Sequence, residues 1–190
     1  MKIRTRVWAF IALIALPCFN LLAADKVWVG GASNLWHVAA NWSPSGIPAA
    51  SDNVMVTNGF IQYVPGGDLV RNTGTTMTMG QGGTFVQTGG IAWMAINGSL
   101  VLNNGAVFDT GTAGAFNIGS AGSVTINEGS TFRRLGNTLV VDSKWIFNGG
   151  TVDNGLSEFQ FNTEVDFDAI LYTGMLAPQN TAGILNLKGG

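Results

Sequence analysis

In the segment TEVDFDAI, residues 163–170, Glu164, Asp166 and Asp168 alternate with Val165, Phe167 and Ala169. Successive side chains of a strand point to opposite faces, so a strand here carries all three acids on one side. Like charges in a row repel, and a hard cation that takes oxygen ligands from a rigid face, Ca²⁺ above all, would relieve them. The plainer reading is a solvated outer face above a buried Val/Phe face. One strand supplies few converging ligands, and no neighbouring segment repeats the carboxylates. No residue is therefore assigned as catalytic or as a metal ligand, no cofactor is expected, and the three acids stand as a candidate cation or polysaccharide face.

The other reactive side chains are sparse. Arg133 and Arg134 are adjacent, so on a strand they point to opposite faces, and one of them needs a partner or a corner. Lys144 stands alone, with no spacing that ties it to the acidic strand. His37 is the single histidine and lies beside Trp36 with no Ser or Cys motif near it. The single cysteine is Cys18; there is no G-x-S-x-G elbow and no P-loop. A zinc site built on His37 would lack partners. Trp36 and Trp93 are candidates for stacking against sugar rings, whereas Trp28 and Trp42 read as packing residues. Thr76 and Thr78 share one strand face, but a single Thr pair is too little for an ice-binding array.

The elements that must position these residues are short strands. The glycines Gly82, Gly90, Gly98, Gly105, Gly114, Gly122, Gly129 and Gly136 follow one another at steps of seven to nine residues. Between them apolar residues alternate: Leu100 with Leu102, Phe116 with Ile118, Val124 with Ile126, Leu139 with Val141, and Trp145 with Phe147. Period-two alternation rich in β-branched and aromatic residues predicts strands, too short and glycine-interrupted for helices. Five Asn-Gly pairs, beginning at Asn58, Asn97, Asn104, Asn148 and Asn154, would suit hairpins and an antiparallel β-sandwich. Strands of about four or five residues make poor hairpins, however. Two or three such phrases per coil give rungs of roughly 16 to 24 residues, a repeat-protein period. The expected fold is all-β, a right-handed parallel β-helix (β-solenoid). Asn103, Asn104, Asn127 and Asn148 would stack in ladders between its rungs.

Ahead of the repeats, residues 25–56 form an aromatic N-terminal cap segment, and the rungs occupy 57–190. A coil leaves its first rung open, and large aromatics suit the task of covering it. Trp28-x-Gly30-Gly31, Trp36, Asn41-Trp42-Ser43, Gly46-x-Pro48 and Asp52-x-Val54 resemble the opening of secreted bacterial β-helix surface proteins. These are the autotransporter-associated β-strand repeat proteins and related proteins with PEP-CTERM sorting tails. The resemblance implies a right-handed parallel β-helix outside the cell, structural or adhesive in role. β-helix polysaccharide lyases use carboxylates and Ca²⁺ on a strand face, so Glu164, Asp166 and Asp168 are also the best enzymatic lead. The chain differs from that family in lacking a sorting helix and a translocator barrel, and it reads as the front part of a longer protein.

Residues 1–24 read as a cleaved signal peptide. Lys2, Arg4 and Arg6 precede the apolar run Val7–Leu16, Pro17 interrupts it, and Ala23 and Ala24 offer the cleavage site. A lipoprotein would want a small residue before Cys18, where Pro17 stands. Of 190 residues 166 remain, without cysteine or disulfide. With the three leader cations gone, nine basic residues become six against eleven acidic ones, a formal charge of −5. No basic stripe suggests nucleic acid, and no membrane span is expected in the mature chain. The expected location is the cell surface or beyond it. Expected partners are extracellular polysaccharide, other surface proteins, or a second copy met through the open coil end.

Overall fold

In a computed structural model of the chain, the described residues are 24–64, 68–89, 93–111, 115–142, 144–178 and 184–187. Residues 1–23 of the expected 1–24 leader, Gly90 and Gly114 lie outside them. No helix among the described residues is long and apolar enough to cross a membrane.

Two strands belong to the aromatic segment alone, β1 (Asp25–Trp28) and β2 (Trp42–Ser43). The coil then advances in triplets. These are β3 (Asn53–Val56), β4 (Phe60–Tyr63) and β5 (Leu69–Arg71); β6 (Thr76–Met79), β7 (Thr84–Gln87) and β8 (Met94–Ile96); β9 (Ser99–Leu102), β10 (Val107–Asp109) and β11 (Phe116–Ile118). There follow β12 (Ser123–Asn127), β13 (Thr131–Arg133) and β14 (Leu139–Val141); β15 (Trp145–Asn148), β16 (Gly150–Asp153) and β17 (Glu158–Phe161); β18 (Glu164–Phe167), β19 (Ala169–Tyr172) and β20 (Met175–Pro178). β21 (Ile184–Leu187) begins another round.

Every third strand stacks on the last. Sheet 1 runs β2-β1-β3-β6-β9-β12-β15, and sheet 2 runs β4-β7-β10-β13-β16-β19. Sheet 3 is in two pieces, β5-β8-β11 and β14-β17-β20, and β18 pairs with β21 apart from sheet 1. Apart from the antiparallel pair β1–β2, every strand pairing among the described residues is parallel. The chain is a parallel β-solenoid, and the sandwich built on Asn-Gly hairpins is excluded. Val54 pairs with Met77, Met77 with Leu100, and Leu100 with Val124, steps of 23, 23 and 24 residues. Three eight-residue phrases make one rung. Later rungs are tighter: Val124 to Trp145 is 21 residues, and Phe159 to Leu176 is 17.

This register stacks like on like inside the coil. Phe85, Phe108 and Phe132 are mutually in register on sheet 2 and fully buried. Their rings lie 4.7 and 5.9 Å apart at interplanar angles of 7° and 18°, and Trp145 closes on Phe132 edge-on at 5.0 Å. Met77, Leu100 and Val124 form the matching column of sheet 1. Such rings gain about 0.5–1.5 kcal/mol per pair beyond their buried area.

The head closes the first rung with polar clasps as well as tryptophans. Trp42 meets Trp28 and Trp36 edge-to-face at 5.0 and 4.8 Å, and its indole Nε1 donates to the Trp36 carbonyl at 2.8 Å. Buried Asn41 accepts from the amides of Ala32 and Ser33 and donates to the Ser33 hydroxyl and the Leu35 carbonyl. Buried Asp52 accepts from the Ala24 and Ala49 amides. Arg71 reaches up from the first rung and donates to the Ala49 and Asp52 carbonyls. Burial lowers the Arg71 pKa to about 10, with Asp52 opposing, so the guanidinium stays charged at neutral pH.

Glycines of the repeat serve two ends. Gly105 and Gly129 have φ of 78° and 73°, the left-handed corner conformation. Gly98 and Gly122 do not. There the backbone of one rung lies so close to the last that a Cβ would be driven into the Thr75 and Ile96 carbonyl oxygens. Gly122→Ala should therefore cost at least about 2 kcal/mol in denaturant unfolding. Gly80→Ala, whose Cβ would meet Asn103 at an ordinary 3.5 Å, should stay within about 0.5 kcal/mol of the parent.

Candidate functional site: the outer face of sheet 1

The positions of sheet 1 that alternate with the core residues face outward and stack in columns. Thr76, Ser99 and Ser123 are in register, and the Ser123 hydroxyl donates to that of Ser99 at 3.1 Å. Beside them run Val27, Met55, Thr78, Val101, Thr125 and Ile146. The Thr76/Thr78 pair is thus repeated one and two rungs on as Ser99/Val101 and Ser123/Thr125. Ser and Val stand in for Thr, so a search for Thr alone misses the repetition. The third column is an amide ladder: Asn127 donates to Asn103 and Asn148 to Asn127, each at 2.9 Å. Asn104, expected in that ladder, is outside it; its side chain covers Gly129 at the corner instead.

The acidic strand ends this face. β18 buries Val165 and Phe167 and exposes Glu164 and Asp166, with exposed Asp168 just past its end. The alternation read from TEVDFDAI is as expected. Across this face the side-chain amide of Asn186 on β21 donates to Glu164 at 2.8 Å and to Asp166 at 3.1 Å. One neutral donor bridges two carboxylates. Among the described residues no group of three or more His, Cys, Asp or Glu side chains is placed to hold a metal ion.

Between β15 and β18 the sheet 1 ladder is interrupted, and a cleft of about 630 Å³ opens there. Asp142, Asn148, Glu164, Asp166 and Asp168 line it together with Trp145, Ile146 and Phe147. Two smaller hollows of about 320 and 330 Å³ lie on the same face, around Asn53, Met55, Thr76 and Thr78 and around Thr78, Asn103 and Asn104. Lys144, expected to be isolated, pairs with Asp142 at 3.4 Å and donates to the Ile118 carbonyl at 3.1 Å. Lys144 is held by these structural contacts.

The two arginines separate as adjacent strand residues must. Arg133 lies outside and bridges its neighbours in register, Asp109 at 3.6 Å and Asp153 at 2.9 Å. Arg134 turns inward and is buried, which lowers its pKa. Its Nε donates to the Thr138 carbonyl, four residues on, and Asn154 makes the same clasp to the Glu158 carbonyl one rung later. Arg133 is committed to Asp109 and Asp153.

The aromatic candidates divide. Trp36 is 2% exposed, boxed in by Trp42, Tyr63 and Phe85, so neither face is free for a sugar ring. It is corrected to a core residue of the cap. Trp93 is 47% exposed, at the start of β8, with its backbone amide donating to Asp68. His37 rests on Tyr63, and its Nε2 donates to the Val64 carbonyl, a cap contact.

No protein-family model, curated protein or solved structure matches the chain.

Trp36→Ala should lower unfolding free energy by about 3–5 kcal/mol. Trp93→Ala should leave it within about 0.5 kcal/mol. Denaturant melts of the two variants check the division.

Proposed function

We propose that the chain is a non-catalytic β-solenoid of the cell surface or extracellular space, structural or adhesive in role. The observation that carries this reading is the outer face of sheet 1. It displays in-register columns of neutral hydroxyl and amide side chains, hydrogen-bonded along the stack and backed by a rigid core. Such a face offers many weak polar contacts to a long partner such as an extracellular polysaccharide or another surface protein. The basic side chains are held in structural contacts: Arg133 with Asp109 and Asp153, Arg134 with the Thr138 carbonyl, Lys144 with Asp142. The leader-like residues 1–24 and the tryptophan-rich opening support export.

The second reading is a polysaccharide-acting enzyme, favoured by the 630 Å³ cleft beside Glu164, Asp166 and Asp168. Trp93 is the remaining candidate for a sugar-stacking contact in a carbohydrate-binding reading.

The two readings part in one experiment. The purified chain from residue 24 onward is incubated with a panel of polysaccharides, with and without Ca²⁺, and bound protein and new sugar ends are assayed together. The scaffold reading expects no released ends, and a melting temperature indifferent to Ca²⁺ and to Asp166→Asn. Release of sugar ends that Asp166→Asn abolishes would establish the enzyme instead. Binding without release, weakened by Trp93→Ala, would establish the adhesive form.

A further inference from the structure

We infer that Asn58 is a site of covalent modification, where the folded chain sheds a side-chain amide as ammonia and gains isoaspartate. The five Asn-Gly pairs, which would suit hairpins, stand instead at corners of the parallel coil. The fold holds four of them and leaves the first open.

An Asn-Gly pair carries a reaction of its own. The deprotonated glycine amide nitrogen attacks Cγ of the asparagine. A C–N bond forms, the bond to the side-chain nitrogen breaks, and that nitrogen leaves as ammonia, its third hydrogen being the amide proton relayed through water. Water then opens the cyclic imide at one of its two carbonyls. One opening gives aspartate; the other gives isoaspartate, with the chain running through the former side chain. Either product adds one negative charge, and water is the sole co-reactant. Two groups must be free to move: the asparagine side chain, which swings over its own backbone, and the glycine N–H, which must leave any hydrogen bond it makes.

Four pairs are held. The Gly105 amide donates to the Gly129 carbonyl at 2.9 Å, and the Asn104 side chain lies over Gly129. The Gly149 amide donates to the Asp168 carbonyl, and the Asn148 amide group to Asn127. Asn154 is buried and donates to the Glu158 carbonyl, while the Gly155 amide donates to Asp153 at 3.1 Å. Asn97 has its Oδ1 tight against Gly119, and Gly98 is wedged beside the Asn72 and Thr75 carbonyls.

Asn58 differs because its corner is the first of a stack. Val56 pairs with Met79, and Met79 with Leu102. Carried two residues on, that register puts Asn58, Gln81 and Asn104 at one corner, followed by Gly59, Gly82 and Gly105 with φ of 90°, 88° and 78°. Later corners are tied to one another: the Gln81 amide donates to the Asn104 carbonyl, as Gly105 does to Gly129. Among the described residues, neither the Asn58 nor the Gly59 amide donates a hydrogen bond, and the Asn58 side chain makes none. Nor does Asn58 cover the glycine one rung on, as Asn104 does, since space is open around Gly82. Both Asn58 and Gly59 are exposed.

The chain from residue 24 onward, kept folded for weeks in mildly alkaline buffer, tests this by peptide mapping and isoaspartate-specific carboxyl methylation. Asn58 should convert at least about tenfold faster than Asn97, Asn104, Asn148 or Asn154. In denaturant the five rates should draw together, because the contacts that hold four of them are gone. Asn58→Gln, which places at this corner the residue type already present at Gln81, should remove the first acidic band on isoelectric focusing and leave the strand circular dichroism unchanged. Conversion of Asn104 or Asn148 as fast as Asn58, a preference for Asn58 that persists in denaturant, or an Asn58→Gln chain that acidifies as the parent does would each overturn the inference.

Discussion

Register between rungs is the constraint on which everything else rests. A parallel coil repeats its backbone at each turn, so an inward side chain finds the corresponding side chain of the next turn directly over it. The Phe85–Phe108–Phe132 column is the consequence, and so is the close backbone approach that admits only glycine at Gly98 and Gly122. A one-residue slip would turn every core side chain outward. A step of 23 or 24 residues, held over the first rungs, avoids the slip with glycine corners alone and no disulfide.

The same constraint orders the outside. Because outward residues are held at a fixed repeat, Asn103, Asn127 and Asn148 hydrogen-bond to one another along the stack. Polar side chains that would wander on an irregular surface are fixed in rows. Where rows of one charge would meet, the fold inserts an opposite or neutral partner: Arg133 between Asp109 and Asp153, Asn186 across Glu164 and Asp166. The outer faces are thus ordered and locally charge-balanced.

Much of this was legible in the sequence. Period-two alternation between glycines fixed the strands, and the spacing of those glycines pointed to a coil. The Val165/Phe167 pattern announced which way the acids face. What was not legible required knowing which residue lies one rung away. Asn186 is 20 residues from Asp166, and nothing local marks it as the partner of two carboxylates. The fate of Trp36 depended on Phe85, far along the chain, arriving at its ring. Arg134 and Asn154 gave a faint signal, since each follows a sheet 2 strand at the rung period and reaches four residues ahead. A polar residue in an alternating pattern reads as exposed unless the corner it clasps is known.

The two interruptions of the ladder fall at different heights. Sheet 3 is parted between β11 and β14, and sheet 1 between β15 and β18, while sheet 2 runs unbroken past both. The joints are staggered, as in a brick wall. A repeat array with aligned joints would come apart in blocks, each block opening at its own free energy. Here no plane across the rod crosses two joints at once, so an opening begun at either must still shear the sheet 2 hydrogen bonds.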